Sequence, residues 1–429
     1  MPLALTHRFF NWNASDLIEF CQILHKKVRY SSAAVVAQSE GKLFFTFDNM
    51  NVMSKILSIV LFAAVLIVTP SCAQLPPKNT SPVAQVKRYL YVAVPGIRNY
   101  LEFGGHGILV YDPSDNYRLV KRIRTGGLKA DGTPSNVKGV AVSLATNSIY
   151  ITTLEALQRI DLLTEKIVWE KKYEGGCDRL SISPDGKVIY LPTLEKEHWN
   201  VVDAETGDVI KQIFTNSGAH NTLYAGDGVS VFLAGLHTNT LGISDARTHT
   251  MIKQVGPFAQ PVRPFTINGS QTLCYVNVNG LLGFEIGDLK TGEKLHHVEV
   301  VGFQQGPVKR HGCPSHGIGL TPDEKEVWLC DAFNQRMHIF DNTIMPPRQL
   351  ESVELRDQPG WITFSLDGKH AYPSTGEIID VKTRKIIATL KDEKGNPVMS
   401  EKVVEIHIDG GKAVKAGDQF GIGRVSKEE

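Results

Sequence analysis

Seven aromatic residues recur at equivalent places along the chain, Tyr91, Tyr150, Tyr190, Phe232, Tyr275, Trp328 and Tyr372, and an aspartate follows each in turn, Asp112, Asp161, Asp203, Asp245, Asp288, Asp341 and Asp380. From the second unit onward the aromatics stand 40, 42, 43, 53 and 44 residues apart. A unit that short cannot bury its apolar face alone, so its copies must stack. Within the third unit, β-rich runs occupy Arg179–Ser183, Val188–Leu191, Trp199–Asp203 and Val209–Phe214, separated by turn residues. Four short strands in each of seven units predict an all-β fold, a seven-bladed β-propeller over residues 88–416.

The turns carry their own chemistry. In Ser183-Pro-Asp-Gly186, proline presets φ and glycine accepts a positive φ, and related turns recur at Thr321-Pro-Asp-Glu324 and Leu366-Asp-Gly368. The repeated aspartates precede turns such as Ala204-Glu-Thr-Gly207, where a short carboxylate accepts backbone N–H groups. They are read as structural, and the aromatics as packing between blades. The first unit lacks its opening strand, because Tyr89–Val94 already corresponds to a second strand. The missing strand is found at the other end, Val403–Ile408. Pairing of the two termini is therefore expected to close the ring and remove the open edge.

The run Ser181-Ile-Ser-Pro-Asp-Gly-Lys-Val-Ile-Tyr190, with its counterparts across roughly residues 88–416, resembles the repeat of the YVTN-type, or YncE-like, bacterial propellers. The resemblance implies the fold. It departs from the family pattern at Phe232, at Trp328, at Ala371-Tyr372-Pro373, and in the long first and sixth units. Propellers of this kind include surface binding proteins and enzymes, so the resemblance implies no particular chemistry. A quinone cofactor in the funnel is implied only by a likeness to quinoprotein propellers.

With 46 Lys plus Arg against 45 Asp plus Glu, the net charge of +1 argues against a nucleic-acid partner or an anionic membrane surface. The apolar run Ile56–Val68 follows Lys55 and precedes Ser71-Cys-Ala73, the pattern of a secretory leader. It is shorter than the roughly 17–25 residues of a membrane span, and Pro70 would break a longer helix. Residues 1–52 are accordingly read as a doubtful extension before a start at Met53. Residues 53–73 are read as a signal peptide, 74–87 as a linker and 417–429 as a tail. The expected address is the periplasm or the extracellular space, with lipid anchoring through Cys72 as the less favoured alternative and no membrane span in the mature form. A monomer is expected. No Cys-x-x-Cys occurs; a Cys313–Cys330 bridge is less favoured, because the hairpin register brings Cys330 nearer Gly317.

In a propeller, the loops entering the first strand of each blade meet around the channel, on the face where function concentrates. Alignment of the units places Lys402, Lys138, Asp178, His220, Arg263, His316 and Gly360 at that mouth, with Arg179 and Trp361 beside them. A purely structural ring would favour small or apolar residues, because crowded charges must be paired or solvated. One reading is a hydrated funnel with Asp178 offsetting its cationic neighbours. The other is a site for a polar or anionic small ligand held by Lys138, Arg179, Arg263, Trp361, Lys402 and Glu102.

Histidines are concentrated on the same face. His106, His198, His220 and His316, with His311 nearby, are candidates for a copper, zinc or iron centre, although no local ligand spacing supports it. Without a metal, His220 or His316 would be the general acid or base, with Asp178 or Glu102 orienting it. Dinucleotide, phosphate-loop and nucleophile-elbow motifs are absent from the sequence. The insert Val301–His311 lengthens the sixth unit and is expected to form a lid. The favoured function is ligand binding at the funnel; the alternatives are a metal- or quinone-dependent oxidoreductase or lyase, and a protein-interaction scaffold.

Overall fold

The computed structural model describes residues 34–39, 42–46 and 86–424. Ala34–Ser39 and Lys42–Thr46 form an antiparallel pair within an N-terminal unit. The expected leader at 53–73, and the rest of the doubtful extension, lie outside the described residues.

The second unit is a ring of seven antiparallel sheets, six with four strands and one with five. The third blade shows the pattern. Its strands Ser181–Ile182, Val188–Pro192, His198–Asp203 and Val209–Phe214 pair in chain order, with Ser181 opposite Tyr190 and Tyr190 opposite Val201. The seven repeat aromatics are all buried. The repeat aspartates accept turn N–H groups, as where Asp203 takes those of Glu205 and Thr206 at 2.9 and 2.8 Å. Gly186 and Gly368 adopt the positive φ of the expected turns, while in Thr321-Pro-Asp-Glu324 the glutamate itself takes φ 60°.

The termini meet as expected. Lys87–Val94 pairs with Val403–Asp409, Tyr91 standing opposite Val404. This first blade is packed on both faces. One apolar cluster joins Tyr91, Val110 and Ile406 to Val140 and Ile151 of blade two, and another joins Leu90, Val92 and Leu109 to Tyr372 and Ile378 of blade seven. Burial of these faces supplies the favourable area that holds the ring shut.

The C-terminus does more than close the ring. The outer edge of Val403–Asp409 is occupied by Lys87–Val94, so the chain reverses at Asp409–Lys412 and adds Lys412–Ala416 on the remaining edge, toward the channel. The residues read from sequence as a tail then cross the channel. Gln419 accepts from Val140 N at 3.2 Å and donates to Leu180 O at 3.0 Å, and Trp361 Nε1 donates to Gln419 O. Gly421 O accepts from Leu320 N and from Thr266 Oγ1, both at 2.9 Å. Phe420 is buried with Leu223, Phe265 and Trp361. Residues 417–424 thus lie in the channel, bonded to inner-strand groups of blades two, three, five, six and seven.

Among the described residues, no helix is long and apolar enough to cross a membrane. Cys177, Cys274, Cys313 and Cys330 are free and buried, so the Cys313–Cys330 bridge is not formed. Cys330 N instead donates to Gly317 O at 2.8 Å, the register expected from the hairpin.

Candidate functional site

Each inner strand begins at the channel mouth, and the first residues of several strands meet there in two ionic clusters. The first is centred on Asp178, 1% exposed. His220 Nδ1 lies 2.7 Å from its Oδ2, and Lys138 Nζ lies 3.1 Å from its Oδ1. An ionised carboxylate can only accept, so His220 Nδ1 carries the hydrogen it donates to Asp178. Burial pushes the Asp178 pKa up, but His220 and Lys138 outweigh it and hold the group at about 2. Glu195, from a loop on the same face, completes a group whose donor atoms lie within 4.8 Å of one another.

The second cluster is built around Glu401. Its Oε2 accepts from Arg179 Nη2 and from Lys402 Nζ, each at 2.7 Å, and its Oε1 faces His311 Nδ1 at 3.1 Å. Lys402 Nζ also donates to Gly96 O at 2.8 Å. The Arg179 guanidinium stacks on Trp361, 3.3 Å from the ring centroid, a desolvated cation–π contact. Beside it, His316 Nδ1 donates to Gly360 O at 2.8 Å, and the His311 and His316 rings lie 5.0 Å apart.

Burial sets the protonation of this cluster. Desolvation lowers Lys402 to about 7, with Glu401 opposing the shift. Desolvation likewise drives His316 well below the usual histidine range, so its ring is neutral. Burial pushes the Glu401 carboxyl up, but Lys402 and the hydrogen bond from His311 outweigh it and hold the group well below its usual range.

The insert of the sixth unit, the segment expected to form a lid, brings its last residue, His311, into this cluster. Phe303 packs on His338, with ring centroids 4.8 Å apart. At the far end, Arg310 pairs with Asp357 at 2.7 Å and lies 5.0 Å from the Phe103 ring, while Arg98 donates to Arg310 O at 3.1 Å. The loop therefore reaches across blade seven to blade one. His311 is seated against Gly360, where an added Cβ would overlap its ring. This is why the ring position of blade seven has no side chain.

The sequence-derived candidates separate into three groups. Lys138, Asp178 and His220 form one cluster; Arg179, His316, Trp361 and Lys402 belong to the other. Arg263 lies between the mouth and the lid, donating to Asn279 Oδ1 at 2.5 Å and to Gly312 O at 3.3 Å, so it holds the loop. The rest lie elsewhere. Glu102 is exposed on the short 3-10 turn Leu101–Phe103. His106 Nε2 is 2.9 Å from Gly126 O, and His198 stacks on Phe214. Neither joins a ligand group, so the set His106, His198, His220 and His316 is not brought together; the candidate groups are His311, His316 and Glu401, and Asp178, Glu195 and His220. Glu401 went unread because its neighbour Lys402 held the aligned position. A shallow cleft of about 230 Å³ between blades four and five, lined by Phe232, Ile243, Ile252, Lys253 and Leu289, lies away from both clusters.

No protein-family model matches the chain, and no curated protein matches it in sequence. Its fold, in contrast, is widely shared. Among 1543 matching chains, a chain of Kuenenia stuttgartiensis hydrazine synthase superimposes with a TM-score of 0.50 at 12% identity, covering 66% of this chain and 88% of that one. At that identity the likeness is one of fold, and so broad a set of matches selects no activity.

Proposed function

We propose that the protein binds a small anionic or polar ligand at the funnel mouth. One observation carries this reading: Arg179 Nη1 is buried and has no hydrogen-bond partner, although the rest of the guanidinium is held by Glu401 and Trp361. A buried, unpaired donor on a cation costs on the order of 1–3 kcal/mol, which an incoming oxygen would recover. The surroundings favour an anion. Lys138, Arg179, Arg263 and Lys402 stand with two buried carboxylates, Asp178 and Glu401, and with the exposed Glu195 beside the first of them. The C-terminal segment closes the channel behind Trp361, so access is from the loop-rich face.

Export is part of the proposal, on the strength of the Lys55–Ala73 pattern, as are a monomeric state and membership of the YVTN-type propellers through Ser181–Tyr190. The test is calorimetric titration of the protein with acetate, succinate, citrate and phosphate, beside Lys138→Ala and Arg179→Lys. Binding of one such anion, weakened at least tenfold in Arg179→Lys with the melting temperature retained, supports the reading. Affinities equal in wild type and both variants would remove it.

A further inference from the structure

The second cluster contains a ligand set with unused valences. One donor atom each from His311, His316 and Glu401 lie within 4.8 Å of one another, and all three residues are at least nine-tenths buried. His311 Nε2 is buried with no partner. A buried imidazole nitrogen left dry and unbonded is unusual enough to require an explanation, and an ion is one.

The surrounding contacts are those that prepare ligands rather than satisfy them. His316 donates its Nδ1 hydrogen to Gly360 O, which fixes the tautomer and leaves Nε2 with its lone pair. Glu401 has its outer oxygen, Oε2, anchored by both Arg179 and Lys402, so Oε1 is turned to the histidines. The separation of Glu401 Oε1 and His311 Nδ1 is 3.1 Å. Two ligands of one tetrahedral ion at about 2.0–2.1 Å stand roughly 3.4 Å apart, so donor atoms that lie within 4.8 Å of one another close by at most about 1.4 Å.

We propose that His311, His316 and Glu401 bind a divalent transition-metal ion, with coordination left open toward the funnel. Two imidazoles and one carboxylate suit zinc, iron(II) or copper(II) rather than calcium or magnesium, which prefer all-oxygen sets. The lid supplies His311, so the ion would join the insert of blade six to the closing strand of blade one. The position left open, flanked by Arg179 and Lys402, would take an anion. In that respect the inference deepens the anion-binding reading, but the ion site stands on its own ligands.

The test uses Co²⁺ and Zn²⁺ on the full chain after chelator treatment. Wild type is expected to bind one equivalent of Co²⁺ with a visible absorption band of low-symmetry coordination, displaced by Zn²⁺. His311→Asn and His316→Gln should each weaken binding at least 100-fold, while His220→Ala, in the other cluster, should not change it. Glu401→Gln risks misfolding because it removes the negative charge that offsets buried Arg179 and Lys402, so the histidine variants decide. Folded wild type without stoichiometric Co²⁺, or equal binding in all variants, overturns the proposal. Anion titration of the chelated protein separates the two readings: anion binding without metal binding sinks the ion site alone, and metal binding without anion binding sinks only the ligand reading.

Discussion

Asp178 accepts the Nδ1 hydrogen of His220 at 2.7 Å while its other oxygen stands 3.1 Å from Lys138 Nζ, so one buried carboxylate ties the inner strands of blades two, three and four. The contact fixes the orientation of the His220 ring, with Nε2 on the side away from the carboxylate.

Asp178→Asn is expected to lower stability at pH 7 by about 2 kcal/mol, the order implied by holding a carboxyl at about 2 instead of 3.8. Because the folded value is the lower one, this stabilisation is complete above the unfolded pKa and is lost as pH falls from about 4 toward 2. Urea midpoints measured between pH 7 and pH 2 should show that acid loss in wild type and a flatter profile in the variant. Parallel curves with equal midpoints would contradict the pairing.

Gly360→Ala should displace His311, since an added Cβ would overlap its ring and the ring is buried. Overpacking of that kind costs typically 1–3 kcal/mol. A calorimetric melt should fall by several degrees, and an unchanged melt would mean the imidazole is not seated there.

Truncation separates the two roles of the C-terminus. A chain ending at Ser400 loses the strand Val403–Asp409 that completes blade one, and it should aggregate through the exposed edge of Lys87–Val94. A chain ending at Gly411 keeps that strand and loses the added strand Lys412–Ala416 together with the channel filling by Gln419 and Phe420. It should fold to a closed ring with a lowered melting temperature, readable by circular dichroism and size-exclusion chromatography. Equal melting of the Gly411-terminated and full chains would show that the residues after Gly411 contribute no stability.

The four described cysteines should resist alkylation in the native state. Burial pushes Cys274 and Cys313 up to about 12 and raises Cys177 and Cys330 as well, so thiolate is scarce and access is closed. Peptide mapping after iodoacetamide treatment should find all four unmodified until denaturant is added. Native labelling of Cys313 would mean that the lid opens.

What the sequence determined by itself is what repeats. Strand pairing, turn glycines and the aspartate caps depend on residues a few positions apart, so Asp203, Gly186 and Tyr190 announce their roles locally, and alignment of seven such units carries Lys138, Asp178 and His220 to one mouth. Even ring closure was legible, because a unit short of one strand requires a strand from elsewhere. The tertiary structure decided everything outside the repeat. Gln419 binds Val140 N and Leu180 O, which are backbone groups with no sequence signature, so the segment that fills the channel reads as a tail. His311 comes from an insert without a counterpart in other units, and it meets Glu401 from the closing strand 90 residues away only because the lid crosses blade seven. Contacts between unrepeated segments depend on the path of the chain in space, and no periodicity records that path.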